Sequence, residues 1–326
     1  MTIEEGRIET KGRKVELEIL KGIGIILVVI GHNVNDQTFI FCFHMPLFFL
    51  ISGFLFSPKT PNRYLKRSFL RLLIPYVCFL FIVSLPDIII IISKGDYSEL
   101  KSLILRDAIG GEILKGAYAV FWYVTVLWMS TNLFNLLLSL HLKSYWLPIL
   151  IGIAYLTCLI PHSLPWNIQV VPMATSYIWI GYILKSQVNI IKKLYNSNKI
   201  LYTLIAVIVL TLLYFCRKDL TLDMKYNNMG VPLLSLISSV VASLSVAILS
   251  LFFTRWNIIT KILVYVGGAS MVVMYLHMPI KHYITPRLSY GNLEVLNIVL
   301  GIGISLFAYE LFKANRFGKR YFLGEV

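Results

Sequence analysis

The fold is decided by residues 18–56, EILKGIGIILVVIGHNVNDQTFIFCFHMPLFFLISGFLF. Two mostly apolar runs are joined by the polar turn NVND, a pattern typical of two membrane helices. Glu18, Lys21, His32 and His44 nevertheless interrupt these runs, at depths where lipid normally excludes ionisable groups. Because such a side chain is costly inside a bilayer, it usually faces a cavity, a partner or a substrate. This hairpin is therefore the first place to look for function.

The composition indicates an integral membrane protein. Hydrophobic residues make up 57% of the 326 residues, and the mean hydropathy is +0.75, which together exceed what a soluble surface carries. Lys and Arg outnumber Asp and Glu by 30 to 16, a balance that would suggest a nucleic-acid partner for a soluble protein. Here the basic residues fall in short gaps between apolar runs. They therefore indicate orientation in the lipid bilayer, and no nucleic-acid partner is expected.

Ten apolar segments have the length expected of membrane helices, or nearly so. With the N-terminus inside, most Lys and Arg residues fall in the inner segments, as the positive-inside rule requires of cytoplasmic loops. We therefore predict an all-α polytopic membrane protein with a cytoplasmic tail over 1–17, one membrane domain over 18–312 and a cytoplasmic tail over 313–326. The fifth segment is short and begins near Pro148, so the pattern also allows nine or eleven helices. The expected helices cover 18–35, 38–56, 69–93, 117–140, 145–161, 166–185, 199–216, 231–253, 262–285 and 294–312.

Lys21 and His32 are expected on one face of the first helix. A separation of eleven residues is within about 20° of three full turns and gives a rise of roughly 16 Å. Lys21 then lies near the cytoplasmic boundary, where Glu18 is one turn away and able to pair with it, and His32 lies near the outer boundary. The structural alternative is that Lys21 extends to the inner interface and His32 only ends the helix.

The predicted topology brings two further histidines to the level of His32. His44 opens the second helix as FHMPLFF, and His277 lies late in the ninth as YLHMPI, so both are expected in the outer half. Histidine suits proton transfer from a hydroxyl because its unperturbed pKa is about 6.5. The alternative for each is a hydrogen bond to a backbone carbonyl freed by Pro46 or Pro279. A three-histidine zinc site finds no carboxylate or cysteine at ligand spacing, so no metal is expected.

Two other groups of side chains suit substrate binding. Arg67 and Arg71 lie one turn apart at the start of the third helix, where two guanidinium groups on one face can clamp a diphosphate. As part of a short basic inner loop they can equally serve orientation alone. Trp122 and Tyr123 open the fourth helix at the outer interface, where an aromatic belt is the default and stacking on a sugar ring is the functional alternative.

These motifs together resemble acyltransferase family 3, a family of membrane proteins, and within it the group of fucose 4-O-acetylase-like enzymes. Glu18 stands where that family commonly has aspartate, and a longer carboxylate should do the same job. Some relatives have the paired arginines three residues apart, whereas four separate them here. The resemblance is carried by Glu18-x-x-Lys21-Gly22, Gly31-His32, FHMPLFFLISGF at 43–54, Lys66-Arg67, RLLIPY at 71–76, Phe121-Trp122-Tyr123 and GASMVVMYLHMP at 268–279.

The resemblance implies a bacterial multi-pass enzyme of the cell membrane. Such a protein moves an acetyl group from cytoplasmic acetyl-CoA to a hydroxyl of a cell-envelope polysaccharide or lipid-linked glycan. His32 would act as general base on the sugar hydroxyl. The oxyanion donors are not placed by the sequence, and His44, Tyr123 and Tyr275 are candidates. The residues implied are His32, Glu18 and His44 for catalysis, Lys21, Arg67 and Arg71 for acetyl-CoA, and Trp122, Tyr123, Tyr275 and His277 for the sugar.

Two other classes of function share these features. A glycolipid or polysaccharide transporter would also have many helices, buried charges and aromatic belts, although the sequence shows no pair of matching halves of the kind that many transporters have. A noncatalytic sensor would use the histidines as a pH switch. Transfer of label from acetyl-CoA to a glycan separates these classes from the enzyme.

Overall fold

Apolar runs of this chain form helices, because in a bilayer only a helix or a closed barrel satisfies every backbone N–H and C=O group internally. The computed structural model describes residues 15–160, 163–287 and 293–325. These residues contain no β-strand, in agreement with the predicted all-α class. The α-helices among them are α1 (Val15–Gly31), α2 (Thr38–Phe41), α3 (His44–Phe54), α4 (Pro61–Ser68), α5 (Ile74–Lys94), α6 (Tyr97–Ile109), α7 (Trp122–Ser139), α8 (Leu147–Thr157), α9 (Val171–Ser197), α10 (Lys199–Phe215), α11 (Leu234–Phe253), α12 (Asn257–Gly268), α13 (Ser270–Pro279), α14 (Leu293–Lys313) and α15 (Arg316–Tyr321).

Fewer helices have the length of a membrane span than hydropathy predicted. Four stretches in the described residues are long and apolar enough to cross a bilayer alone, and two bent pairs raise the number to six if each pair is one span. The expected count of ten is therefore not confirmed, although an integral membrane protein is. One reason is that several apolar segments form short helices, such as the 17-residue α1, whereas a span takes about 20 residues. The four stretches are Pro61–Lys94, Gly116–Ser139, Leu234–Phe253 and Glu294–Lys313.

The basic residues before the predicted third helix lie on a helix and not in a loop. α4 has Pro61 in its first turn, where the missing N–H of proline costs nothing. It continues into α5 through a π-helical turn over Phe69–Leu73, a feature that often occurs at functional sites. Arg67 consequently lies on α4 and Arg71 in the π-helical turn, and both are exposed.

Two long apolar segments are sharply bent. α9 and α10 meet at 106° around Asn198, whose side chain caps α10 by accepting a hydrogen bond from the N–H of Leu201 at 3.0 Å. α12 and the helix that starts with α13 meet at 72°, beside Gly267 and Gly268, and small flexible residues are a common cause of kinks. Hydropathy predicted one continuous helix over 262–285. The bend directs α13 against α1.

Glycines bring two pairs of helices into backbone contact. At the crossing of α1 and α12, a Cβ atom added to Gly22 or Gly267 would overlap a carbonyl oxygen of the facing helix. The same holds for Gly53 and Gly181 where α3 crosses α9. Small residues allow such close approach, and close packing drives helix association in membranes because lipid is as apolar as the side chains. These crossings fix the positions of α1 and α3.

The largest buried side chains are aromatic. Phe49, Phe79, Phe121, Tyr177 and Trp179 are fully buried and come from α3, α5, the start of α7, and α9. Each large ring makes many dispersion contacts that are individually weak and collectively strong. This aromatic core joins the first helices of the chain to its middle.

The predicted C-terminal tail contains structured residues. α15 follows α14 closely, and the ring of Phe322 stacks on that of Phe312 at 4.3 Å. The same ring meets the edge of Phe79 on α5 at 5.2 Å. Residues 1–14 of the predicted N-terminal tail lie outside the described part of the chain, which begins with α1 at Val15.

Candidate active site

Three histidines from distant parts of the chain meet at one level of the structure. The ring of His32 lies 5.4 Å from that of His277 and 6.4 Å from that of His44, measured between centroids. His32 directly follows the last residue of α1, His44 opens α3 and His277 lies on α13. The structure thus brings together three side chains that the sequence predicts for one level, hereafter the histidine layer.

Backbone carbonyls orient two of these rings. Nδ1 of His44 lies 2.9 Å from the carbonyl oxygen of Ile40, and Nδ1 of His277 lies 2.8 Å from that of Val273. Since a carbonyl oxygen only accepts, Nδ1 of each ring carries a proton and donates it. In a neutral ring the remaining nitrogen, Nε2, is then a hydrogen-bond acceptor. Nε2 of His277 is buried and makes no hydrogen bond within the described residues. In that part of the chain, no three His, Cys, Asp or Glu side chains are arranged to hold a metal ion.

The end of α1 is held by a cation from a distant helix. The carbonyl of His32 is one of the groups that a helix leaves unsatisfied at its C-terminus, and Nζ of Lys281 donates a hydrogen bond to it. Lys281 lies in a second π-helical turn, Ile280–Ile284, directly after α13. The contact ties the backbone at His32 to the helix that carries His277.

A cavity of about 330 Å³ lies against the histidine layer, within the usual volume range of small-molecule sites. Ile25, Val28 and His32 line it from α1, and their spacing of three and four residues defines one helix face. His44 lines it from α3, whereas His277 does not line it. We call this space the central cavity; other lining residues are Leu72, Trp122, Tyr123, Leu127, Ser270 and Met271.

The predicted acetyl-CoA residues lie beyond the end of the central cavity that is farthest from the histidine layer. Lys21 lies one turn before the first cavity-lining residue of α1, and its Nζ pairs with Glu18 at 2.7 Å. Leu72 lines the cavity and directly follows Arg71. Arg67 and Arg71 are exposed. Neither these three side chains nor that of Glu18 lines the cavity itself, and all four residues belong to elements that do or to their immediate extensions.

The predicted sugar-binding aromatic residues divide into two groups. Trp122 and Tyr123 line the central cavity. Tyr275 does not, since its ring is completely buried and stacks on that of Phe79 at 4.4 Å. The rotation of α13 places Met274, and not Tyr275, on the cavity wall. Tyr275 therefore belongs to the aromatic core.

A turn that the sequence did not single out also lines the cavity. All five residues of 222–226, hereafter the outer turn, line it. The backbones of Asp223 and Asn228 form an antiparallel bridge with N···O distances of 2.8 and 3.0 Å. Lys225 is only 8% exposed, and its Nζ donates a hydrogen bond to the carbonyl of Leu114 at 2.6 Å. From the sequence, this lysine is only one of the basic residues in a predicted outer loop.

Burial of Lys225 makes its ammonium group easier to deprotonate. Removal from water lowers the pKa of the ammonium group to about 8, although the nearby carboxylates of Asp223 and Glu112 act in the opposite direction. The backbone carbonyl of Lys225 accepts a hydrogen bond from Nδ2 of Asn167 at 2.8 Å. The lysine is thus fixed from both its side chain and its backbone.

The loop that contains the outer turn is also tied to the loop after α1. Nε of Arg217 donates to the carboxylate of Asp36 at 2.8 Å. This hydrogen bond lowers the pKa of Asp36 below its usual value. Gln37, the next residue, lines the central cavity. Two loops from distant parts of the chain therefore share one side of the cavity.

The part of the chain that matches a known protein family includes all these elements. A family model described as an acyltransferase domain matches residues 14–309. The matched region begins just before α1 and ends within α14, so it contains the histidine layer, the central cavity and both exposed arginines. No curated protein and no solved structure matches the chain.

Proposed function

This chain belongs to the acyltransferase family described by that model, and from this premise we propose that it is a membrane-bound O-acetyltransferase. Its donor is cytoplasmic acetyl-CoA, and its acceptor is a hydroxyl of a cell-envelope polysaccharide or lipid-linked glycan. The motifs similar to fucose 4-O-acetylase-like enzymes support this choice of donor and acceptor. The proposed location is a bacterial inner membrane.

The observation that carries the proposal is the position of the central cavity between a group of basic residues and the histidine layer. On α1 it extends from Ile25 to His32, seven residues or a rise of about 10 Å. Basic residues lie beyond one end and the histidine layer lies at the other. A donor held by the cations can place its acetyl group in the cavity, and an acceptor can meet it at the histidines.

The chemistry proposed for His32 is general base catalysis. As the acceptor oxygen attacks the thioester carbonyl carbon, the imidazole takes the hydroxyl proton. The tetrahedral intermediate then expels the CoA sulfur, the C–S bond breaks, and His32 returns the proton to the leaving thiolate. Tyr123, which lines the cavity, is the proposed donor to the oxyanion. His44 donates its Nδ1 proton to a backbone carbonyl, which holds its ring at the cavity wall.

Arg67, Arg71 and Lys21 are proposed to bind the phosphates of acetyl-CoA. Guanidinium groups make bidentate contacts to phosphate, and both arginines are exposed where a soluble donor can reach them. Glu18 pairs with Lys21 at 2.7 Å and is proposed to orient that ammonium. The face of α1 between Lys21 and His32 then guides the pantetheine arm into the cavity.

Alanine in place of Arg67 or Arg71 is expected to raise the KM for acetyl-CoA about tenfold, since each substitution removes charge-assisted hydrogen bonds. The kcat at saturating donor should change little because neither guanidinium touches the reacting atoms. Initial rates of the purified protein at varied acetyl-CoA measure both constants.

Arg255→Ala is the matched control for the two arginine variants. Arg255 is also exposed and lies in another predicted inner loop, so its loss should leave the donor KM within about twofold. A donor KM that is the same in Arg67→Ala, Arg71→Ala and Arg255→Ala would place the phosphate site elsewhere.

The proposed reaction is tested with purified protein, acetyl-CoA labelled in the acetyl group and isolated envelope glycan. Label should enter the glycan and be released by mild base, as expected of an O-acetyl ester. Longer acyl-CoA donors in parallel reactions test the choice of acetyl. Absence of label from every glycan fraction, with a folded and monodisperse protein, would reject the acetyltransferase.

A glycolipid transporter is the second candidate, because two helix pairs are broken at 106° and 72°, and broken helices are common in transporters. Proteoliposomes with fluorescent glycolipid separate the two. A transporter moves the lipid between leaflets without acetyl-CoA, whereas the proposed enzyme modifies it only when donor is present.

A further inference from the structure

We propose that the outer turn is the element that recognises the acceptor, and that its ligand is an uncharged sugar ring with adjacent hydroxyl groups. The inference rests on the proposed function for the reaction that follows binding.

The position of the outer turn is the first argument. It lines the same cavity as His32 and His44 with five consecutive residues, and it belongs to the loop between α10 and α11. Gln37 joins it on the wall from the loop after α1. A sugar that enters the cavity from this side must pass these residues before its hydroxyl reaches His32.

The side chains on this wall match a neutral sugar. Asp223 offers a carboxylate that accepts hydrogen bonds, Lys225 an ammonium that donates them, and Gln37 an amide that does both. Tyr226 and Trp122 add rings that have an apolar face and a polar group. Adjacent hydroxyls of a sugar can donate to the carboxylate and accept from the ammonium. Because one carboxylate and one ammonium leave no net charge, the wall does not favour an anionic ring.

The burial of Lys225 is the second argument. Taking an ammonium out of water is costly, and one hydrogen bond to a carbonyl with a contact to the Tyr226 ring at 5.4 Å does not replace three bonds to water. The carbonyl of Leu114 is the acceptor for Nζ at 2.6 Å. An ammonium has two further N–H donors, and a sugar hydroxyl in the cavity can use them. An ionisable side chain that is desolvated at a cavity wall is a typical binding group.

The rigidity of the outer turn is the third argument. Besides the backbone bridge between Asp223 and Asn228, Oδ1 of Asp223 accepts a hydrogen bond from the backbone N–H of Lys225 at 3.2 Å. Asn167 holds the carbonyl of Lys225. A recognition element that is ordered before it binds loses less entropy on binding and therefore gains affinity and selectivity.

Calorimetric titration of the purified full chain tests the inference without need for turnover. Two probes are used, a neutral hexose oligosaccharide and the matching oligosaccharide with uronate rings. We expect wild type to bind the neutral probe more tightly. Lys225→Met and Asp223→Asn should each weaken that binding about tenfold, with the acceptor KM raised by the same factor and the donor KM unchanged. Asn keeps the Oδ1 that caps the turn, so Asp223→Asn removes charge and leaves the fold intact.

Lys218→Met and Asp219→Asn are the matched controls. They make the same chemical changes in the same loop at exposed positions, and neutral-probe binding should equal that of wild type. If Lys225→Met does not fold, Asp223→Asn and Tyr226→Ala carry the test. Unchanged binding in these variants, or tighter wild-type binding of the uronate probe, overturns the inference. A wild-type protein that binds the neutral probe but transfers no acetyl group to it would instead reject the proposed function.

The pH dependence of sugar binding gives an independent prediction. The pKa of Lys225 is about 8, so binding of the neutral probe should weaken as pH rises through 8 and the ammonium loses its proton. Asp223, Glu112 and Lys115 are the charged groups that act on its pKa, and His32 lines the same cavity. Lys225→Arg keeps the charge at high pH, so its affinity should stay constant from pH 7 to about 10. A wild-type profile that is flat through pH 8 would contradict the role of this ammonium.

Discussion

Replacing His32 by alanine is expected to lower the kcat of acetyl transfer by about 10²–10⁴-fold, which is the usual contribution of a positioned general base. The imidazole lies on the wall of the central cavity at the level where the donor and the acceptor are proposed to meet. Alanine cannot take the hydroxyl proton, so the acceptor oxygen remains a weak nucleophile. Among the substitutions at the site, this one should have the largest effect.

Transfer of labelled acetyl groups to glycan measures the loss of activity. The amount of folded protein then shows whether the substitution affects catalysis or folding. His32 is only partly buried, so its truncation should leave the yield and the melting temperature of the purified protein close to those of wild type. His282→Ala is the control because His282 is exposed and follows the Lys281 contact without lining the cavity. If His32→Ala retains more than about a tenth of the wild-type kcat, another group must be the base.

The face of α1 that lines the central cavity could be predicted from sequence because helix periodicity alone determines it. The spacing of Lys21 and His32 requires one face, and the structure shows Ile25 and Val28 between them on the cavity wall. The level shared by His32 and His277 followed from topology, and their rings lie 5.4 Å apart. The helical period is thus sufficient to predict this face of α1.

Other parts depend on contacts between distant residues that no local pattern contains. The bend of 72° after α12 leaves hydropathy unchanged, so one helix was predicted there. The rotation of α13 places Tyr275 in the aromatic core, although the residues next to it in the sequence are equally apolar. The outer turn enters the cavity because Lys225 is held by Leu114 and Asn167, and both of these lie more than fifty positions earlier in the chain.

The helix crossings that position the histidine layer give the second large prediction. Gly53→Ala and Gly267→Ala should each destabilise the protein by about 3 kcal/mol or more, the upper part of the range for overpacking. In both cases the new methyl group would overlap a backbone carbonyl of the facing helix. A flexible side chain can move aside, whereas a helix backbone can only shift as a unit. We expect a large loss of folded yield in detergent and a lower melting temperature.

Gly303→Ala makes the same chemical change on α14 at a position where no heavy atom of a neighbour lies within 4 Å of the new Cβ atom. Alanine is the better helix former by roughly 1 kcal/mol, so this variant should melt at or slightly above the wild-type temperature. Gly267→Ala should in addition separate α12 from α1 and thereby move α13, which carries His277, relative to His32. The folded fraction of that variant should therefore show a lower kcat than wild type. Equal melting temperatures for Gly53→Ala, Gly267→Ala and Gly303→Ala would show that these crossings are not in backbone contact.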